Sequence, residues 1–259
     1  MNAPGPQTRL FAVLGHPIGH TLSPVMHNAA LAAVGLDAVY LAFEVRPEQL
    51  MVALAGLAAL GAGGVNLTVP LKEAAFQGLA DLDESARILG AVNTVAFRGT
   101  ALKGYNTDGT GFLRAMEEAF GTSPAGLRVF VLGCGGAGRA VALTCALHGA
   151  TGVSLADVDA ERARRVGVQI GAHTPAVAVE VCDPGPANWW RAAQAADLVV
   201  QATPVGMRRG ESSPLPAAGF RAGQLAFDLV YNVPETAFLQ DARAMGARTA
   251  NGLGMLLHQ

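Results

Sequence analysis

Charge is scarce in this sequence. Of 259 residues only 15% are charged, 18 Lys and Arg against 20 Asp and Glu, and the net charge of −2 is not gathered into any basic cluster. A polynucleotide has no electrostatic footprint to hold on such a chain, so nucleic acid is excluded as a partner. Cysteine is rare as well. Cys134, Cys145 and Cys182 are odd in number, none stands in C-x-x-C spacing, and each falls in or beside an apolar element, which assigns them to packing rather than chemistry. The opening MNAPGPQTRLFAVLG lacks both a basic leader and a long apolar core before a small-residue cleavage site, so no export signal is read and a cytoplasmic protein is expected. The stretch Leu50–Leu71 has no charge at all, yet Gly56, Gly61, Gly63, Gly64 and Pro70 divide it into a helix over about 47–60, a turn and a strand Val65–Val69. No membrane span is expected.

What is abundant is apolar surface, 51% of residues, in a chain long enough for one large domain or two modest ones. The most informative run is Arg128–Asp159, RVFVLGCGGAGRAVALTCALHGATGVSLADVD. Val129–Leu132 has no polar face and suits a strand buried on both sides of a parallel sheet. Gly133, Gly135 and Gly138 follow as G-x-G-x-x-G: a tight turn, a close backbone approach to a pyrophosphate, and a helix packed close to the strand. Ala140–His148 then reads as a helix ended by Gly149, and Val153–Ala156 as a second strand closing on Asp157. An acid at that strand tip, about 20 residues after the turn, is where a dinucleotide-binding unit bonds the adenosine ribose. S-adenosylmethionine binding uses a similar turn and acid, and stays open at this point.

Polar residues gather at the ends of other apolar strands. After the strand Leu10–Leu14 comes a loop carrying Thr21 and Ser23; Ser23 and Pro24 read as an N-cap and first-turn proline, and the two hydroxyls could instead bind a small polar ligand. His16, His20 and His27 suggest a metal site, but Pro17 and Gly19 forbid a continuous helix presenting the first two, and no metal is expected. Lys72 stands in the first turn of a helix that opens after Thr68, where a cation opposes the helix dipole, so helix stability does not explain it. Asn93 and Asp108 close two further strands. Asp108 could simply cap the helix Gly109–Phe120, but a lysine beside a carboxylate in one crevice is also a proton-transfer pair.

The runs HTLSPVMHN, NLTVPLKE, GAVNT, YNTDGTGF, GCGGAGR, ATPVGM, DLVYNVPET and GLGMLLHQ resemble, in order and at similar spacing, those of the shikimate dehydrogenase family, over nearly the whole chain. The resemblance removes the methyltransferase alternative. It implies an α/β protein with an N-terminal substrate-binding domain, residues 1–108, to which a tail over 246–259 returns, and a C-terminal Rossmann domain, residues 109–245, for NAD or NADP. The implied activity is an NAD(P)-dependent oxidoreductase of aromatic amino acid and chorismate biosynthesis, interconverting 3-dehydroshikimate and shikimate, with quinate as an alternative substrate. It implies Lys72 and Asp108 as the catalytic pair, with Thr21 and Ser23 on the substrate carboxylate and Thr68, Lys72, Asn93, Asp108, Tyr231 and Gln259 around the ring hydroxyls. For the cofactor it implies Gly133, Cys134, Gly135, Gly136 and Ala137 at the pyrophosphate. Glu84, Leu229 and Gly252 would line the nicotinamide end, with Thr203 and Met207 in a loop against it.

The sequence also departs from the family. Thr21 stands where serine is common, which trims the pocket or shifts it toward quinate. Asp157-Val158-Asp159 replaces the N-R-T of many NADP-linked members, so NAD is expected to be preferred, with Arg162 on the next helix as the counterweight. The family normally continues beyond the glutamine, leaving truncation after Gln259 an open expectation. A monomer or homodimer is expected, and a mobile loop over Arg208–Gly219. A catalytically silent sensor of a shikimate-like acid is the other reading, which an intact Lys72 and Asp108 disfavour.

Overall fold

The computed structural model describes residues 4–259, which form two compact units, one up to residue 107 and one over 108–259. Each is an α/β layer structure with its own six-stranded sheet.

The first unit runs β1 (Arg9–Gly15), α1 (Ser23–Ala33), β2 (Ala38–Glu44), α2 (Leu50–Ala59), β3 (Gly64–Leu67), α3 (Leu71–Gly78), β4 (Asp81–Leu82), α4 (Glu84–Leu89), β5 (Thr94–Arg98) and β6 (Ala101–Tyr105). Its strand order is β2-β1-β3-β5-β6-β4, with β1 parallel to β2 and β3, and β5 antiparallel to both β3 and β6. Ala12, Leu14, Val65, Leu67 and Val95 from the sheet meet Leu50, Leu54, Leu71 and Ala75 from the helices in one buried cluster. The charge-free stretch is thus a helix, a turn and an inner strand. No helix among the described residues is long and apolar enough to cross a membrane. Ser23 is not the N-cap expected of it: the cap position is Leu22, with no side-chain hydrogen bond, and Ser23 begins the helix. Its hydroxyl accepts instead from Thr21 Oγ1 at 3.1 Å.

The second unit runs α5 (Asp108–Phe120), β7 (Arg128–Leu132), α6 (Gly136–Leu147), β8 (Gly152–Ala156), α7 (Ala160–His173), β9 (Ala178–Val181), α8 (Pro186–Ala195), β10 (Leu198–Gln201), β11 (Leu225–Asp228), α9 (Ala237–Ala244), β12 (Arg248–Ala250) and α10 (Leu253–His258). All its strand pairs are parallel, in the order β9-β8-β7-β10-β11-β12. That is the doubly wound 3-2-1-4-5-6 order, built outward in both directions from β7. The central strands β7, β10 and β11 are buried along almost their full length, as strands covered by helices on both faces must be.

Two segments of the second unit carry specific contacts. In the stretch Arg208–Gly219, Glu211 Oε2 accepts from the backbone N–H of Gly206 at 2.7 Å and of Arg208 at 3.3 Å, and Leu215 is buried. The chain end packs on α5 of the second unit. Its helix α10 lies on α5 so closely that a Cβ at Gly254 would sit 3.3 Å from Ala115 Cβ, and His258 Nε2 lies 2.8 Å from Glu118 Oε2.

The other side of α5 is set by aromatics. Phe227 of β11 meets Phe112 edge-on at 5.2 Å between ring centres and Phe120 at 6.3 Å, all three buried. Phe227→Ala should therefore lower unfolding stability by about 3–5 kcal/mol, and Phe227→Leu by about 1 kcal/mol, read from urea midpoints at unchanged slope. An alanine variant within about 1 kcal/mol of wild type would show that α5 is held by other contacts.

Candidate active site

In the first unit the polar strand ends lie along one edge of the sheet. Because β5 runs antiparallel to β3, its beginning meets the end of β3, and Leu67 N–H donates to Asn93 O at 2.8 Å. Thr68 follows directly and donates its N–H to Leu14 O of β1 at 2.9 Å. Gly15, at the tip of β1, has no room for a side chain: a Cβ there would come within 2.5 Å of Thr68 Cγ2 and 2.8 Å of Ile18 Cδ1, so the loop leading to Thr21 and Ser23 adjoins the same edge. Lys72, half-buried in the first turn of α3, is tied in through its backbone, since Val92 N–H donates to Lys72 O at 2.9 Å.

Asn93 is buried, 3% exposed, and its amide is fully directed. Oδ1 accepts from Thr107 N–H at 2.9 Å and Thr94 Oγ1 at 3.0 Å, while Nδ2 donates to Thr107 Oγ1 at 2.9 Å. Asn106 stitches the neighbouring segment, donating from Nδ2 to Ala91 O at 2.9 Å and from its backbone N–H to Ser85 Oγ at 3.1 Å. Thr21, Ser23, Thr68, Lys72 and Asn93 thus belong to one edge. Glu84 stands exposed in the first turn of α4. Of the three histidines, His27 stacks on Tyr40 at 4.2 Å, with burial lowering its pKa, and His16 Nδ1 lies 2.8 Å from Glu44 Oε1.

In the second unit the turn Gly133–Ala137 joins β7 to α6. Gly133 has φ +96°, and a Cβ at Gly138 would lie 1.8 Å from Gly133 O, so neither position accepts a side chain. Above Gly135 there is open space, with nothing within 4 Å of where a Cβ would be. Gly135 caps α6 without a side-chain acceptor. A helix start whose N–H groups are left to a ligand, beneath an accessible backbone, suits a phosphate.

The acid at the tip of β8 is placed differently from expectation. Asp157 is only 5% exposed; Oδ2 accepts Cys134 N–H at 2.6 Å and Oδ1 accepts Asp159 N–H at 2.9 Å. Its first work is to hold the glycine turn. Val158 projects outward, and Asp159 is the more exposed carboxylate, capping α7 through Glu161 N–H at 3.1 Å and Arg162 N–H at 3.2 Å. Arg162 reaches back to both acids, 3.7 Å from Asp157 and 3.8 Å from Asp159. Burial pushes the Cys134 thiol up to about 12, leaving it a packing group.

A second polar centre in this unit was not read from the sequence. Gln201, at the end of β10, donates to Val205 O at 2.7 Å and accepts Thr203 N–H at 2.5 Å, shaping the loop that carries Thr203 and Met207. Asn232 Nδ2 holds Met207 O at 2.8 Å. Gln201 also reaches Asp228 Oδ1 at 3.3 Å, and Asp228, fully buried, accepts Val230 N–H at 3.0 Å and the Thr236 hydroxyl at 2.5 Å. Leu229 follows, pressed by Gly252, whose Cβ would lie 2.2 Å from Leu229 O. The signal was present: an acid and a glutamine each directly ending an apolar strand. Asp108, fully buried, begins α5, and Gln259 comes to rest on the same helix, its Cγ 2.8 Å from a Cβ built on Gly111.

Burial raises the Asp228 pKa from 3.8 to about 6, against the three hydrogen bonds that favour its charge. Between those values the folded chain keeps a proton that the unfolded chain has lost, so this group favours folding below the window. That increment, up to about 3 kcal/mol, is lost as pH rises through it. Urea midpoints of wild type and Asp228→Asn compared across pH 4 to 6 should diverge accordingly. Parallel curves would mean that Asp228 does not titrate there.

A sequence model of the shikimate dehydrogenase substrate binding domain matches residues 13–95. A shikimate dehydrogenase (NADP(+)) of Moorella thermoacetica is 52% identical over 254 residues, 97% of this chain and 85% of that protein. The crystal structure of shikimate 5-dehydrogenase from Listeria monocytogenes in complex with shikimate and NAD superposes with a TM-score of 0.89 at 33% identity, covering 100% of this chain and 91% of that one. The quinate dehydrogenase of Corynebacterium glutamicum in complex with NAD gives 0.85, also at 33% identity, covering 97% and 90%. With the motif-bearing strand ends in place in both units and such identity along nearly its whole length, the chain belongs to the shikimate dehydrogenase family.

Proposed function

We propose that this chain is a shikimate dehydrogenase, catalysing the reversible nicotinamide-dependent reduction of 3-dehydroshikimate to shikimate in aromatic amino acid biosynthesis. The observation that carries the reading is a lysine in the first turn of α3, on the strand edge shared with Thr68 and Asn93, in a chain whose second unit presents an open glycine turn at a helix start. When bound at that turn, a nicotinamide dinucleotide supplies or accepts the hydride. The residues manage the rest. Thr21 and Ser23 bind the substrate carboxylate; Thr68, Asn93, Tyr231 and Gln259 bind ring hydroxyls. The Lys72 ammonium gives its proton to the carbonyl oxygen during reduction and recovers it during oxidation, with the Asp108 carboxylate as its orienting partner. Gly133–Ala137 cradle the pyrophosphate, with Glu84, Leu229 and Gly252 at the nicotinamide end and Thr203 and Met207 beside it. We place the protein in the cytoplasm, with a catalytic domain over 1–108 and a cofactor domain from 109 onward.

Lys72→Ala should lower kcat about 10²-fold or more while dinucleotide affinity, followed by fluorescence titration, stays near wild type. A variant with near-normal kcat would overturn the proton-transfer assignment. Complete inactivity of the wild type with shikimate and quinate and either cofactor would favour the sensor reading instead.

For the cofactor, NAD is the preferred form. A 2′-phosphate would approach the half-exposed Asp159 and the edge of Asp157, and Arg162 is already shared between those two carboxylates. Relatives point both ways, since the Moorella protein is named for NADP(+) and the Listeria structure holds NAD. Wild type should show a kcat/KM at least about tenfold higher with NAD, equivalent to one like-charge contact. Val158→Arg with Asp159→Thr, which keeps an α7 cap, should reverse or erase the preference. A wild-type preference for NADP would refute it. Quinate as a second substrate draws support from the methyl of Thr21 and from the quinate dehydrogenase neighbour.

A further inference from the structure

Two polar side chains end neighbouring central strands of the second unit, and neither has a place in the chemistry above. Gln201 closes β10 and Asp228 closes β11, and the two are partners in the parallel register, so their side chains leave the same face of the sheet side by side. Both are fully buried. A buried amide or carboxylate is costly unless its polar atoms are occupied.

What occupies them is the main chain of the loop after β10. Gln201 Oε1 accepts Thr203 N–H at 2.5 Å and Nε2 donates to Val205 O at 2.7 Å, so one amide grips two loop residues in opposite senses. Because a backbone N–H only donates, the orientation of that amide is fixed, and its nitrogen is the atom turned to Asp228 Oδ1 at 3.3 Å. Asp228 carries the hold further. Its Oδ1 accepts Val230 N–H at 3.0 Å, and its Oδ2 accepts the hydroxyl of Thr236, which caps α9 by accepting Leu239 N–H at 3.4 Å. Leu229 lies between, its N–H given to Gln201 O at 2.8 Å.

The other fastenings of the loop act elsewhere. Glu211 and Asn232 hold Gly206, Met207 and Arg208, beyond Val205. Thr203 Oγ1 and Pro204 O close turns within the loop, accepting Val205 N–H and Met207 N–H, each at 3.2 Å. On its opposite side the start of the loop presses on the glycine turn: a Cβ at Gly133 would come 2.8 Å from Ala202 C and 2.9 Å from Thr203 Cγ2, and one at Gly138 would come 3.0 Å from Ala202 Cβ. The first half of the loop is thus wedged between the glycine turn and the Gln201–Asp228 pair.

We propose that Gln201, Asp228 and Thr236 are positioning residues for the nicotinamide end of the cofactor: through Thr203, Val205 and Leu229 they set the wall against which the ring lies. The inference rests on the assignment of Thr203, Met207 and Leu229 to that end. Hydride transfer needs the ring at a set distance from the substrate, so a displaced wall costs turnover. The glycine turn keeps its own tie to Asp157, and the adenosine and diphosphate half binds as before.

ADP-ribose, which carries all of the dinucleotide but the nicotinamide ring, separates the two halves of the site. Gln201→Met removes both loop links at similar side-chain length. With the dinucleotide that the wild type uses better, at saturating shikimate, it should lower kcat/KM about tenfold or more. The inhibition constant of ADP-ribose, or of its 2′-phosphate to match, should stay within about twofold of wild type. Thr236→Val should lower kcat/KM about threefold and Thr236→Ser should return it to within about twofold, a pair that reads the same effect if Gln201→Met does not fold. Met207→Ala is measured in parallel. If it leaves kcat and KM intact, the loop does not face the nicotinamide and the inference falls with that assignment. If it impairs turnover while Gln201→Met and Thr236→Val leave kcat/KM unchanged, or weaken ADP-ribose as much as the dinucleotide, the assignment stands and the positioning role is overturned.

Discussion

The arrangement of the second unit depends on one short hydrogen bond, from Cys134 N–H to Asp157 Oδ2 at 2.6 Å. It ties the tip of β8 to the turn that follows β7, and so fixes where the backbone leaves the sheet. Gly133 can then adopt its left-handed turn, Gly138 can come against Gly133 O, and α6 starts with its N–H groups aimed past an open Gly135. The donor is a backbone group that needs a partner once buried, and the carboxylate accepts it with a charge-assisted bond. An acid in this place is therefore structural before it is selective. Val158 and Asp159 beside it are the more exposed residues of that turn.

The first unit solves a different problem, bringing hydroxyls, an ammonium and an amide to one sheet edge. It does so by reversing a strand. Had β5 run parallel to β3, Asn93 would have begun the strand at the opposite edge from Thr68. Antiparallel pairing puts the start of one strand beside the end of the other. A chain of hydrogen bonds from Tyr40 through Asn66 to Thr94 then lies across the sheet at the height of those ends.

Much of this was legible in the residues. The β7–β8 unit declared itself because three signals with separate physical causes coincided: an apolar strand, spaced glycines and a terminal acid. The order of the β strands follows from parallel crossovers, which the alternation of strand and helix implied. Three features were not legible. Whether Asp157 faces a ligand or the turn depends on side-chain direction, which spacing does not set. Ser23 reads equally well as a cap or as the first helical residue, since both place serine before a proline. The Gln201–Asp228–Thr236 centre joins residues far apart in sequence, and periodicity carries no information about such pairings.

The seat of α10 on α5 has a consequence for how the molecule comes into being. His258 and Glu118 are 140 residues apart, and α5 begins the second unit while α10 is the last of its described helices. At about 5–20 residues per second of synthesis, the α10-facing side of α5 waits on the order of ten seconds for its cover. Both sides of α5 wait, since the Phe227 that meets Phe112 and Phe120 also comes late in the chain, but the small surface around Gly111 and Ala115 is the one covered last. The last surface of α5 to be covered is thus its least apolar one, and the final stage of translation leaves little there for a stray chain to hold.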